Sequence, residues 1–143
     1  MLKEINIMLD PGAKKPQRAY EWDAGLDLFL PEDSDPVIIG QLGSAIIDTG
    51  VHVEIPRGYV GLLKSKSGLN VKFNLTGEGV IDAGYTGGIV AKLYNHGQIE
   101  QTFLPGEKII QLLIMPCETP RVRIVDSFQE TERGVAGFGS TGK

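Results

Sequence analysis

Short apolar runs, punctuated by glycine, proline and acidic turns, recur along this chain. GVHVEIP places Val51, Val53 and Ile55 on one side and His52 and Glu54 on the other, the period of a half-buried strand. INIML near the start alternates loosely, and RVRIVDSF alternates again after residue 120. GYVGLL, GGIVAKLYN and KIIQLLIMP are continuous apolar runs rich in branched and aromatic residues. PEDSDP, PRG, GEG, NHG and LPGE fall between the runs. Strands bounded by turn residues at intervals of roughly 8–12 residues predict an all-β sandwich or barrel. The one short helix is expected near SGLNVKF. Residues 128–143, FQETERGVAGFGSTGK, carry neither period and read as a flexible C-terminal arm behind a domain of residues 1–127.

Composition narrows the picture. A chain of 143 residues buries roughly 68–70% of its unfolded surface, enough for one core. The 19 glycines exceed ordinary usage and suggest turns and close backbone approach rather than long helices. With Cys117 alone there is no internal disulfide and no cysteine zinc site. The start has no apolar run long enough for a leader or a span, so a cytoplasmic protein without a membrane role is expected. A formal net charge of −4 argues against a broad nucleic-acid surface but leaves room for a small anion held by local cations and amides.

Five stretches hold residues that strand building does not require. In DAGLDLF, Asp27 lies between Leu26 and Leu28; it either faces water at a strand edge or is paired or near a metal. KSKSGL sets Lys64 and Lys66 on one side of an extended segment and Ser65 and Ser67 on the other, ahead of Gly68. That is either a solvated basic loop or an anion site. GEGVIDAGYTGG has five glycines in twelve residues around Asp82 and Tyr85 and reads as a hairpin that approaches something closely. Gln111 interrupts the apolar run KIIQLLI and must find partners. In the tail, Arg133 and Phe138 sit among glycines, a pairing suited to gripping a phosphate and stacking on a planar base. GFGSTGK also fits the phosphate-loop spacing, but with no helix expected after Lys143 the tail is expected to act as a flexible lid rather than a cradle between strand and helix. His52 and His96 match no metal spacing.

Taken in order, these stretches resemble the five motifs of the trimeric all-β dUTPases: AGLDL, GYVGLLKSKSGL, GVIDAGY with its flanking glycines, GEKIIQLL and RGVAGFGSTG. The resemblance implies a distorted jelly-roll or β-barrel. It also implies hydrolysis of dUTP to dUMP and pyrophosphate by water attack on the α-phosphorus, lowering dUTP and supplying dUMP for dTMP synthesis. Asp82 is then the general base, and because a carboxylate is a weak base much of the rate comes from positioning and charge neutralisation. Lys66, Ser67, Gly68 and Gln111 hold the phosphates. Arg133, with Gly139, Ser140 and Thr141, closes on the terminal phosphate. Mg²⁺ bridges the phosphates mainly through water and phosphate oxygens, with Asp27 supporting that region indirectly. Gly79, Val80 and Ile81 offer backbone groups to uracil, Tyr85 lies under the deoxyribose, and Phe138 stacks on the base. The resemblance further implies a homotrimer with shared active sites: the first, second and fourth motifs from one subunit, the third from another, the fifth from the last.

Three positions depart from the family pattern: Lys66 replaces the usual arginine, Gly84 a second acid and Ala136 a glycine. Two other functions stay open at this point, a catalytically weak dUTP-binding regulatory protein and a dCTP deaminase-like enzyme on the same fold.

Overall fold

The computed structural model describes residues 2–139 and 142. In chain order the strands are β1 (Asn6–Leu9), β2 (Leu26–Phe29), β3 (Val37–Ile39), β4 (Ser44–Asp48), β5 (Val51–Glu54) and β6 (Tyr59–Lys64). Helix α1 (Ser67–Phe73) follows, then β7 (Leu75–Thr76), β8 (Glu78–Ile81), β9 (Val90–Asn95), β10 (Gln101–Phe103) and β11 (Lys108–Pro116). Every strand pair is antiparallel. They form a four-stranded sheet β2-β11-β6-β8, a three-stranded sheet β4-β9-β7 and the two-stranded ribbons β1-β5 and β10-β3. This is the expected all-β, jelly-roll-like class. The barrel alternative is corrected: the described strands stay in four open sheets and no continuous barrel closes.

The core follows from the registers. Leu26, Leu112 and Leu63 lie side by side across β2, β11 and β6, and Leu28 faces Ile110; all five are buried. Val51, Val53 and Ile55 are buried as their alternation predicts, and Leu93 and Ala91 of the second sheet, with Ile89 just ahead of β9, close the cluster. Gly77 sits where the chain passes from one sheet to the other. A Cβ there would lie 2.7 Å from the Lys92 carbonyl oxygen and 2.9 Å from Leu93, so only glycine permits the close packing.

Two expectations are corrected. RVRIVDSF forms no strand: residues 118–139 hold no described strand or helix and are exposed throughout, with Val122 and Ile124 facing no partner. An alternating segment becomes a strand only where an edge accepts its backbone. GEGVIDAGYTGG is no hairpin either, because β8 pairs with β6 while β9 pairs with β4 and β7. Among the described residues no helix is long and apolar enough to cross a membrane.

Candidate active site

On the four-stranded sheet, opposite its leucine rows, register aligns Asp27, Gln111, Lys64 and Glu78 across all four strands. Lys64 ion-pairs with Glu78 at the exposed end of this row. Asp27, only 3% exposed, lies at the other end. Lys66 Nζ bonds Asp27 Oδ1, and Lys108 Nζ bonds Oδ2 at 2.8 Å. Burial pushes the Asp27 carboxyl up, but the ammonium groups of Lys108 and Lys66 together outweigh it and hold the group below its ordinary value. Asp27 is thus neither a water-facing edge residue nor a free carboxylate.

Lys108 was not singled out by sequence, and the reason is a bulge. Lys108 is an odd number of residues from Gln111, so a regular strand would turn it to the other face. The register shifts between Lys108 and Ile110, pairing Lys108 with Phe29 and Ile110 with Leu28. The extra residue, Ile109, is buried beside Ile110, and Lys108 swings round to Asp27.

Ser65 is the second residue that sequence reasoning left without a role. Its Oγ accepts from the Gly77 amide at 2.9 Å and donates to the Gly77 carbonyl at 3.2 Å. Its own carbonyl accepts from Gln111 Nε2 at 3.0 Å. Gln111 therefore finds its partner in the backbone just ahead of Lys66 and fixes the end of β6. α1 starts at Ser67, with Lys66 as an extended N-cap whose side chain makes no cap bond. The first helical bond runs from the Asn70 amide to the Lys66 carbonyl at 2.9 Å, so the amides of Ser67, Gly68 and Leu69 have no intrahelical partner. Gly68 and Ser67 are exposed, and a Cβ on Gly68 would meet nothing within 4 Å. Nothing in this chain's packing calls for glycine there.

Asp82, Ala83, Gly84 and Tyr85 form one tight turn closed by the Tyr85 amide to the Asp82 carbonyl at 3.1 Å. Gly84 has φ +86, a conformation that favours glycine. Tyr85 Oη donates to the Gly88 carbonyl at 3.1 Å. β8 is the edge strand of its sheet, so Gly79, Val80 and Ile81 lie on a strand with one backbone edge unpaired. Val80 is exposed and Ile81 buried.

Register separates these two groups. Lys64 faces Glu78 and Gly61 faces Ile81, so β8 carries Asp82 away from the Lys66 end of β6. Six residues of extended chain divide Lys66 from Asp82, roughly 20 Å at ~3.3 Å per residue. The structure brings together Asp27, Lys66, Ser67, Gly68 and Gln111, and separately Gly79, Val80, Ile81, Asp82 and Tyr85. Arg133, Phe138 and Gly139 meet neither: they are exposed, and Arg133 Nε bonds the nearby Ala136 carbonyl at 3.2 Å. Ser140 and Thr141 lie outside the described residues.

Among the described residues no three His, Cys, Asp or Glu side chains gather to hold a metal ion. Both oxygens of Asp27 are engaged by ammonium groups. These side chains do not fit a protein-built metal cage; they fit a site to which a divalent ion comes already held by phosphate and water.

The dUTPase family pattern matches residues 12–142. The deoxyuridine 5'-triphosphate nucleotidohydrolase of Clostridium tetani is 40% identical over 139 residues, spanning 95% of this chain and 94% of that one. Its namesake from Mycobacterium avium is 41% identical over 145 residues, spanning 95% and 92%. Among solved structures, Staphylococcus bacteriophage 80alpha dUTPase with dUPNHPP superposes with a TM-score of 0.90 at 32% identity, covering 99% of this chain and 100% of that one. A variant dUTPase from phage phi11 of S. aureus, described with a structural Mg(II) ion, reaches 0.79 at 30% identity, covering 88% and 99%. With its motifs in order and its sheets in the same arrangement over nearly its whole length, this chain belongs to the dUTPase family.

Proposed function

We propose that this protein hydrolyses dUTP to dUMP and pyrophosphate at sites shared between three copies of the chain. One observation carries the sharing. The phosphate-type group around Lys66 and the turn bearing Asp82 lie at opposite ends of one strand pair, roughly 20 Å apart by strand rise. The tail with Arg133 and Phe138 touches neither. Each group is a fragment of a site, and a closed threefold ring unites fragments from different copies. The relatives above are named for nucleotide hydrolysis, which favours this reading over deamination of dCTP and over binding without turnover.

In this reading the Lys66 ammonium, the Ser67 hydroxyl and the open amides of Ser67 and Gly68 take the phosphates, and the Gln111 amide keeps that segment in place while reaching the chain. Asp27 acts through Lys66, holding the ammonium where the phosphates arrive. The unpaired edge of β8 at Gly79, Val80 and Ile81 reads uracil. Cytosine offers a donor where uracil offers an acceptor, so it leaves backbone groups unpaired and is rejected. Tyr85, fixed by its bond to Gly88, lies beneath the sugar and leaves no room for a 2′-hydroxyl. Asp82 orients and deprotonates the attacking water on the α-phosphorus. Arg133, Gly139 and Ser140 from the tail of another copy close on the terminal phosphate while Phe138 covers the base. Mg²⁺, when bound with the nucleotide, supplies neutralisation of charge on the phosphates. The work belongs to the cytoplasm, where it keeps dUTP low and supplies dUMP.

Pyrophosphate release from dUTP, dCTP, dTTP and UTP, measured in parallel with Mg²⁺, tests the proposal. Turnover of dUTP far above the other three is expected. Equal turnover of all four, or ammonia release from dCTP, overturns it.

A further inference from the structure

The loop between β8 and β9 carries the Asp82–Tyr85 turn, and its middle is anchored by a histidine. The loop is tied at one end by the Gly84 amide to the Ile55 carbonyl at 3.3 Å. At the other end the Ile89 amide bonds the Val51 carbonyl at 2.8 Å, and Thr49 Oγ1 bonds the Ile89 carbonyl at 2.7 Å. Between those ties, among the described residues, one hydrogen bond joins the loop to the sheets: His52 Nδ1 to the Thr86 carbonyl at 2.8 Å. The other ring nitrogen, Nε2, lies 3.1 Å from Asp10 Oδ1. Asp10 is itself fixed, its amide bonded to the Gly50 carbonyl at 2.8 Å. The His52 side chain is 19% exposed and pairs across the β1-β5 ribbon with Met8.

We propose that His52, as an imidazolium, is a positioning residue that clamps Thr86 to Asp10 and so holds the turn bearing Asp82 and Tyr85 in its working place. The inference rests on the nucleotide reading of that turn given above. Its physical basis is the partner set. A carbonyl oxygen faces one ring nitrogen and a carboxylate the other, and both only accept. An imidazolium donates to both. A neutral ring has one N–H, so whichever side it serves, a nitrogen lone pair is turned against an acceptor on the other. Loss of the proton therefore converts one of the two contacts from attraction to repulsion and loosens Thr86, the residue next to Tyr85.

The charged groups acting on the ring are Asp10 and Asp48. Both are carboxylates and both favour the cation, while Glu54, two residues along β5, is engaged by Asn6 Nδ2 at 2.7 Å. The Thr86 carbonyl and then the Asp10 hydrogen bond raise the imidazole above its ordinary value; desolvation opposes them, and the charges of Asp10 and Asp48 add to the rise. The clamp is consequently complete at low pH and is lost as pH rises through this raised folded value.

The test combines steady-state kinetics on dUTP with NMR of the imidazole, from roughly pH 6 to roughly pH 9. In the wild type, KM is expected to rise about fivefold across the His52 titration, the factor that one weakened hydrogen bond carries, with kcat changing less than about twofold. Asp10→Asn is expected to move the KM midpoint and the His52 titration to lower pH together. His52→Gln is expected to abolish the KM rise. A KM rise that survives in His52→Gln, or an Asp10→Asn midpoint that stays in place, overturns the inference. Should the protein release no pyrophosphate from dUTP at any pH, the nucleotide reading fails instead. The amides of residues 86–88 then decide the clamp: it stands if they follow the Asp10→Asn shift in the His52 titration, and falls if they do not.

Discussion

Lys66 is ion-paired to Asp27, and the same carboxylate holds Lys108 at 2.8 Å through its other oxygen. Two cations are thus fixed over one buried acid beside the proposed phosphate site. Asp27→Asn removes the charge but not the cations. The expected loss of stability near pH 7 is about 2–3 kcal/mol, below the ~3–5 of a fully buried pair because the lysine ends reach water. The pH dependence follows in sign. The folded Asp27 value lies below the unfolded one, so its contribution is present above the ordinary carboxylate range and is lost as pH falls through the folded value. Urea unfolding of both proteins at about pH 7 and about pH 3 checks this: the gap is expected to shrink in acid, and a constant gap contradicts the ion-pair account.

Much of this arrangement was legible in the chain itself, and the remainder was not for identifiable reasons. The alternation of Val51, Val53 and Ile55 marked their burial, and SGLNVKF marked the helix. The ordered motifs marked the family. Lys108 was hidden because a register shift of one residue decides which face it takes, and no local signal encodes that. Ser65 was hidden because its partner, Gly77, is brought near only by the passage between sheets. RVRIVDSF misled because alternation records the capacity to pair, whereas pairing needs an available edge.

Gly68 separates a demand of the fold from a demand of the ligand. Its backbone is helical, its φ is not positive, and a Cβ would meet nothing within 4 Å. Gly68→Ala is therefore expected to leave the protein as stable as before or more stable by about 0.5–1 kcal/mol, from helix propensity alone. The KM for dUTP is nonetheless expected to rise by about tenfold or more if, as proposed, phosphate approaches the amide where the added methyl would stand. Thermal melting and initial-rate kinetics on the same sample give both readings. An unchanged KM would remove Gly68 from the phosphate site.

Lys66→Arg restores the arginine of the family pattern at a position already facing Asp27. A guanidinium keeps the charge and adds a planar fork suited to phosphate. The variant is expected to match the wild type or lower KM by a few-fold, about 0.5–1 kcal/mol. A loss of kcat/KM beyond about tenfold would mean that the pocket between Asp27 and Ser67 is shaped around lysine.

The sharpest test of a shared site is complementation. Asp82→Asn is expected to lower kcat by about 100-fold or more, the usual worth of a general base, with little change in dUTP affinity. Deletion of residues 133–143 is expected to abolish most activity and leave the assembly intact, because the described residues from 133 on are exposed. Each variant alone is then nearly inactive. In a mixed ring, one site draws Asp82 from a tail-less copy and its tail from an Asp82→Asn copy, and that site is whole. Random mixing of equal amounts makes about three quarters of the rings mixed. Each mixed ring holds one whole site in three, so activity is expected to return to about one quarter of wild type per site. If Asp82 and the tail served a site from the same chain, co-expression would restore nothing. Recovered activity near one quarter, read from pyrophosphate release by co-expressed and jointly purified copies, distinguishes the two geometries without a ligand-bound structure.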